Sequence, residues 1–150
     1  MNKRSESGDP QLGAERKMNF RFETTKVDGI IYDVRELEQA AEELAIVERN
    51  LNEFEETVAE GHHYWLDTNG NTLGPCDILR DWEAAQKTSA WSEHVATIKK
   101  ANFDSPIWVT KDGYVFNGLH RLTAAFLQHR PTIKIRIFDS LPSSAQVKEN

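Results

Sequence analysis

Cysteine occurs once in the 150 residues, as Cys76. A single thiol excludes an internal disulfide and a cysteine-rich zinc site, and it fits a reducing compartment, so the cytoplasm is the expected location. Long apolar runs are missing too. No stretch approaches bilayer-spanning length, and the opening MNKRSESGDPQLGAERK has no apolar core of the kind a secretory signal needs. No membrane partner is therefore expected. Positive charge is in the minority, with 18 Lys and Arg against 24 Asp and Glu and a formal net charge of -6. That balance excludes a chain that coats nucleic acid through bulk charge; DNA contact is not favoured and would have to be local. Neither Gly-rich phosphate-loop fingerprint occurs, and there is no Ser nucleophile elbow. His62, His63, His94 and Cys76 fall at no usual ligand spacing, so no metal site is expected among them.

The 39% hydrophobic content is enough for one core with appendages. Residues 1–17 offer almost nothing to bury and are expected to be a disordered tail. Residues 18–61 form a second unit. Phe20 and Phe22 alternate, Gly29 follows Asp28, and Ile30, Ile31 and Tyr32 return, which is the pattern of a hairpin. Leu37, Ala40, Leu44, Val47, Leu51, Phe54 and Val58 then alternate spacings of three and four, predicting one long amphipathic helix from Val34 to Glu60, stopped by Gly61. Leu37, Leu44, Leu51 and Val58 recur every seventh position. The helix is thus a candidate seam for a homodimer as much as a scaffold packed on its own domain.

Residues 62–140 are expected to be the main domain, and 141–150 a flexible end. An Asn69–Gly70 turn interrupts a short apolar run, and LRDWEAAQK and SAWSEHVATIKKA read as helical pieces. Ile107, Trp108 and Val109 are answered by Tyr114, Val115 and Phe116 across a turn at 111–113. LHRLTAAFLQHR is a helix closed by Pro131, and TIKIRIF alternates strictly as a last strand. The fold class is α+β, a small mixed sheet with helices, preceded by a hairpin and the long helix.

The strand YVF runs through Asn117 and Gly118 straight into His120 and Arg121 at a helix start. A helix that begins there points its first backbone N–H groups out of its end, where the helix dipole adds partial positive charge. Gly118 leaves room for a ligand to approach the backbone, and Arg121 can grip two oxygens at once, so the corner is a candidate anion site. The plainer alternative has Asn117 capping the helix, His120 in a structural hydrogen bond and Arg121 paired with an acidic residue.

The stretch PIWVTKDGYVFNGLHRLTAAF resembles the shared box of the ParB/sulfiredoxin superfamily, over about Asn71 to Phe138. Gly118, Arg121 and Ala124 match the Gly, Arg and Ala of the ParB version. Gly118, His120 and Arg121 match the Gly-x-His-Arg of sulfiredoxins and of the free-serine-kinase branch. The resemblance implies a nucleotide-binding domain of that fold, with ATP or CTP and Mg²⁺ as ligands. The phosphates would be held at Asn117, Gly118, Leu119, His120 and Arg121, with Thr97 contributed by the preceding helix. Kinase-type members use an upstream glutamate to activate the acceptor hydroxyl. Asp77, Asp81 and Glu83 compete for that role here, with Glu83 preferred and His120 as its catalytic companion.

Departures from the family pattern narrow the function. Leu119 stands where sulfiredoxins place their catalytic cysteine, so sulfinic-acid repair is not expected. Asn117 replaces an aspartate of many members, removing a carboxylate that holds metal or orients a nucleophile. No helix-turn-helix follows the last strand, so centromere binding is not expected either. The implied function is an ATP- or CTP-dependent phosphotransferase or NTP hydrolase. The alternatives are a non-catalytic, nucleotide-regulated adaptor module and a phage or mobile-element accessory to DNA modification or a nuclease.

Overall fold

The structure is a computed structural model and describes residues 22–147. The tail expected over 1–17 lies outside the described residues, as do Met18 and Phe20 of the expected hairpin. That hairpin is formed by β1 (Thr24–Val27) and β2 (Ile30–Asp33), paired antiparallel. Its two-residue turn needs positive φ at both positions; Asp28 at 52° and Gly29 at 82° supply it.

Asp33 then caps α1 (Val34–Glu42), its carboxylate accepting the N–H of Arg35 at 2.9 Å. Here the long helix expected over 34–60 fails. It ends after nine residues, and Val47–Asn50 is instead a strand, β3. The stop is supplied from far along the chain: Arg136 donates to the carbonyls of Ala41 and Leu44, satisfying the end of the helix. The dimer seam disappears with the helix. Leu37 packs with the hairpin, whereas Leu51, Phe54 and Val58 enter a different part of the core. Two turns of 3₁₀ helix at Leu51–Phe54 and Ser89–Trp91 punctuate the connections.

A small hairpin follows, β4 (Trp65–Leu66) with β5 (Thr72–Leu73). Its turn is at Asn69–Gly70, where the Asp67 carboxylate accepts the N–H groups of Asn69 and Asn71 at 2.8 and 2.9 Å. Three helices come next: α2 (Pro75–Arg80), α3 (Trp82–Gln86) and α4 (Ser92–Lys99). The chain then runs β6 (Ile107–Thr110), β7 (Val115–Asn117), α5 (Leu119–Leu127) and β8 (Thr132–Phe138). The main sheet has the order β3-β8-β6-β7; β6 and β8 are parallel and the other pairs antiparallel. The molecule is thus α+β with a mixed sheet, and the sheet draws its edge strand β3 from ahead of the boundary expected at 61/62.

Alternation along the strands sends side chains to both faces. Ile107, Val109, Val115, Ile133 and Ile135 join Leu122, Ala125, Val95, Ile98 and Ile78 in one core. Trp108, Phe116 and Phe138 face the other way, their ring centroids 5.2 to 6.0 Å apart, against Val27, Tyr32, Val34 and Leu37 of the hairpin and α1. A buried bond from Thr25 Oγ1 to the carbonyl of Phe116, 2.7 Å, fastens the hairpin to β7. Of the C-terminal stretch expected to be flexible, residues 141–147 are tied down: Ala145 is buried, and Val147 N–H donates to Ile31 O at 2.9 Å. No helix among the described residues is long and apolar enough to cross a membrane.

Candidate functional site: the Gly118 corner and a stacked histidine pair

Strand β7 passes into α5 through one residue, Gly118, at φ 100° and ψ 21°. The turn is sharp enough that only a left-handed residue makes it, and the helix start has no side-chain cap. Leu122 N–H to Gly118 O, 2.8 Å, is the first bond of α5, so the amides of the first turn point out of its end. A Cβ at position 118 would lie 2.6 Å from Cγ2 of Ile107 and 2.8 Å from Nη1 of Arg121. The guanidinium therefore lies back over the glycine, and Nη1 donates to the carbonyl of Pro106 at 3.3 Å. Asn117 is half-buried at the end of β7. Leu119 is buried, so it presents backbone rather than side chain to the corner.

His120 turns inward and is only 7% exposed. Its Nε2 meets Nδ1 of His94 at 2.8 Å, and Nε2 of His94 meets the carbonyl of Leu66 at 2.7 Å. A carbonyl only accepts, so His94 carries its proton on Nε2. In a neutral pair His94 Nδ1 is then the acceptor and His120 donates from Nε2. Both rings lie on Trp65, whose indole is 4.3 Å and 4° from His120 and 4.9 Å and 16° from His94. The two imidazoles are themselves close to coplanar, at 13°. The indole N–H of Trp65 is buried with no acceptor among the described residues. An orphan donor of this kind costs about 1–3 kcal/mol and is tolerated where water or a ligand supplies the acceptor.

The remaining sequence-predicted residues sit elsewhere. Thr97 is exposed on α4, one turn beyond His94, and its hydroxyl donates back to Glu93 O at 3.0 Å. Glu83 is exposed on α3. Neither makes a hydrogen bond to His120 or Arg121. The competing carboxylates are occupied by helix starts: Asp77 accepts from Gly74 N–H at 2.9 Å and Asp81 from Ala84 N–H at 3.1 Å. Sequence reasoning passed over Trp65 and weighed His94 only as a metal ligand. One signal was present for His94, which stands with Trp91, Val95 and Ile98 on the inward face of α4, an unusual place for an imidazole.

The four potential ligands weighed from the sequence do not form one centre. His62 turns to Glu56 at 3.2 Å and His94 to His120, while His63 and Cys76 lie together with Asp77. Burial and the neighbouring Asp77 carboxylate push the Cys76 thiol above its ordinary 9.0, so it is not a ready nucleophile at neutral pH. No protein-family model, curated protein or solved structure matches the chain, and its function has to be read from these side chains.

Proposed function

We propose that the chain binds a nucleoside triphosphate, ATP or CTP, with the phosphates at the Gly118–Arg121 corner. One observation carries this reading: an uncapped helix start at a left-handed glycine, with an arginine guanidinium laid over the same turn. N–H dipoles and a guanidinium are donors only, so the corner suits phosphate oxygens and not a cation. Mg²⁺ would arrive on the phosphates; Asn117 offers no carboxylate to hold it. On this reading the order β6, β7, α5, β8 around the corner would be that of a ParB/sulfiredoxin-like fold, with this as its phosphate-binding turn.

Phosphoryl transfer is the chemistry that best uses the adjacent histidines. His120 would take the proton of an attacking hydroxyl, its ring oriented by the contact between its Nε2 and His94, and the Leu66 carbonyl holds His94. The exposed Glu83 is kept as a further candidate base. A second reading is a nucleotide-regulated binding module without turnover. It is favoured by the burial of His120 under Trp65 and by Leu119 and Asn117, which lack the reactive groups that ParB/sulfiredoxin proteins carry at the matching positions.

Incubation with γ-labelled ATP and CTP, with and without hydroxyl acceptors, separates the readings. Acceptor-dependent transfer supports a phosphotransferase, and phosphate release at the same rate without an acceptor makes it a hydrolase. Binding with neither leaves the regulated module.

A further inference from the structure

Away from the corner, the chain leaving Gly61 crosses the start of α2. Gly74 permits the crossing, since a Cβ there would run into the carbonyl of His62. The crossing lays His63 beside Cys76 and Asp77, and one ligand atom from each of the three lies within 4.8 Å of the others. We propose that His63, Cys76 and Asp77 bind a transition-metal dication, with Zn²⁺ the best chemical match.

Geometry, charge and softness agree on this assignment. Donors bound tetrahedrally at about 2.0–2.3 Å stand roughly 3.3–3.8 Å apart, so these three need to close by about 1 Å. His63 Nε2 and Asp77 Oδ2 are 3.9 Å apart, too far for a hydrogen bond and close to the separation of two ligands on one ion. The His63 side chain is 44% exposed and can swing that distance. Its exposure also leaves the fourth position to water. A thiolate and a carboxylate neutralise a dication, and sulfur with imidazole selects zinc over magnesium or calcium.

The supporting shell is in place. Asp77 Oδ2 accepts the Gly74 N–H at 2.9 Å, and Arg80 Nη1 stands 3.4 Å from Asp77 Oδ1. The ion would pin the segment after Gly61 to α2. The ligands come from two chain segments and share no residue with the nucleotide corner.

Cobalt(II) titration of the metal-stripped full-length chain tests the site directly. One equivalent is expected to produce a thiolate-to-cobalt charge-transfer band in the near ultraviolet, abolished by Zn²⁺ and absent in Cys76→Ser. His63→Ala is expected to weaken cobalt binding by about tenfold or more. Because His63 is exposed, that variant carries the test should Cys76→Ser fail to fold. Wild type without the band, or a band unchanged in His63→Ala, would overturn the proposal and leave an ordinary His63–Asp77 contact. Nucleotide binding is read separately, so either result leaves the corner's assignment standing or falling by itself.

Discussion

Replacing Gly118 with alanine should damage the corner more than most single-methyl additions damage a protein. Two costs combine. An L-residue held at φ 100° bears left-handed strain of about 1–2 kcal/mol. The new Cβ also meets Ile107 Cγ2 at 2.6 Å and Ile107 Cβ at 3.0 Å, and Ile107 is fully buried in β6 with nowhere to retreat. Overpacking of this kind costs about 1–3 kcal/mol. Arg121 Nη1, at 2.8 Å, is the end of a flexible side chain and adds little. The sum is about 2–5 kcal/mol, to be read from the shift in urea midpoint at unchanged slope. A double-mutant cycle separates the parts. In an Ile107→Ala background the 2.6 Å clash with Cγ2 is gone and only the Cβ contact at 3.0 Å remains, so Gly118→Ala should cost little beyond the backbone strain, giving a coupling of about 1–3 kcal/mol. A single-variant loss below about 1 kcal/mol, or a cycle without coupling, would refute the crowded, left-handed corner.

Three further outcomes follow from the packing. Leu51→Ala should lower stability by about 2–5 kcal/mol in urea denaturation, because Leu51 lies in the core beside β8; an altered association state with unchanged stability would restore the helical seam. His94→Ala should cost about 1–3 kcal/mol in the same assay by leaving the buried Nε2 of His120 without its partner, whereas an unchanged midpoint would mean that the stacked pair is absent in solution. Tyr32 is pushed above its ordinary 10.0 by burial and by Asp28, so the folded chain keeps that proton to higher pH than the unfolded one. Its contribution is full below pH 10 and is lost as pH rises beyond it; Tyr32→Phe should flatten the alkaline fall in melting temperature, and an identical fall in both proteins would contradict the assignment.

The second half of the chain was legible because its signals are local. The Asp112–Gly113 turn, the alternation of TIKIRIF and the helix-closing Pro131 each act within a few residues, and β6, β7, α5 and β8 follow from them. The Asp28–Gly29 hairpin was readable for the same reason. The long helix was misread because its pattern is truly helical up to Glu42. What ends it is Arg136, 95 residues from Ala41, together with the need of β8 for an edge partner, and neither leaves a mark in the segment itself. At the site, Gly118 and Arg121 could be named from spacing because a strand-to-helix corner is local. Trp65, His94 and His120 could not be joined, since β4, α4 and α5 meet only through tertiary packing.

The most direct test of the central claim is calorimetric titration of the full-length protein with ATP and CTP in the presence of Mg²⁺, for wild type and for Arg121→Ala. The account predicts saturable binding of at least one triphosphate by wild type, and a loss of about 1.5–3 kcal/mol in Arg121→Ala with its urea midpoint little changed. Wild-type protein that binds neither nucleotide at millimolar concentration, or an Arg121→Ala variant that binds as tightly as wild type, would contradict it.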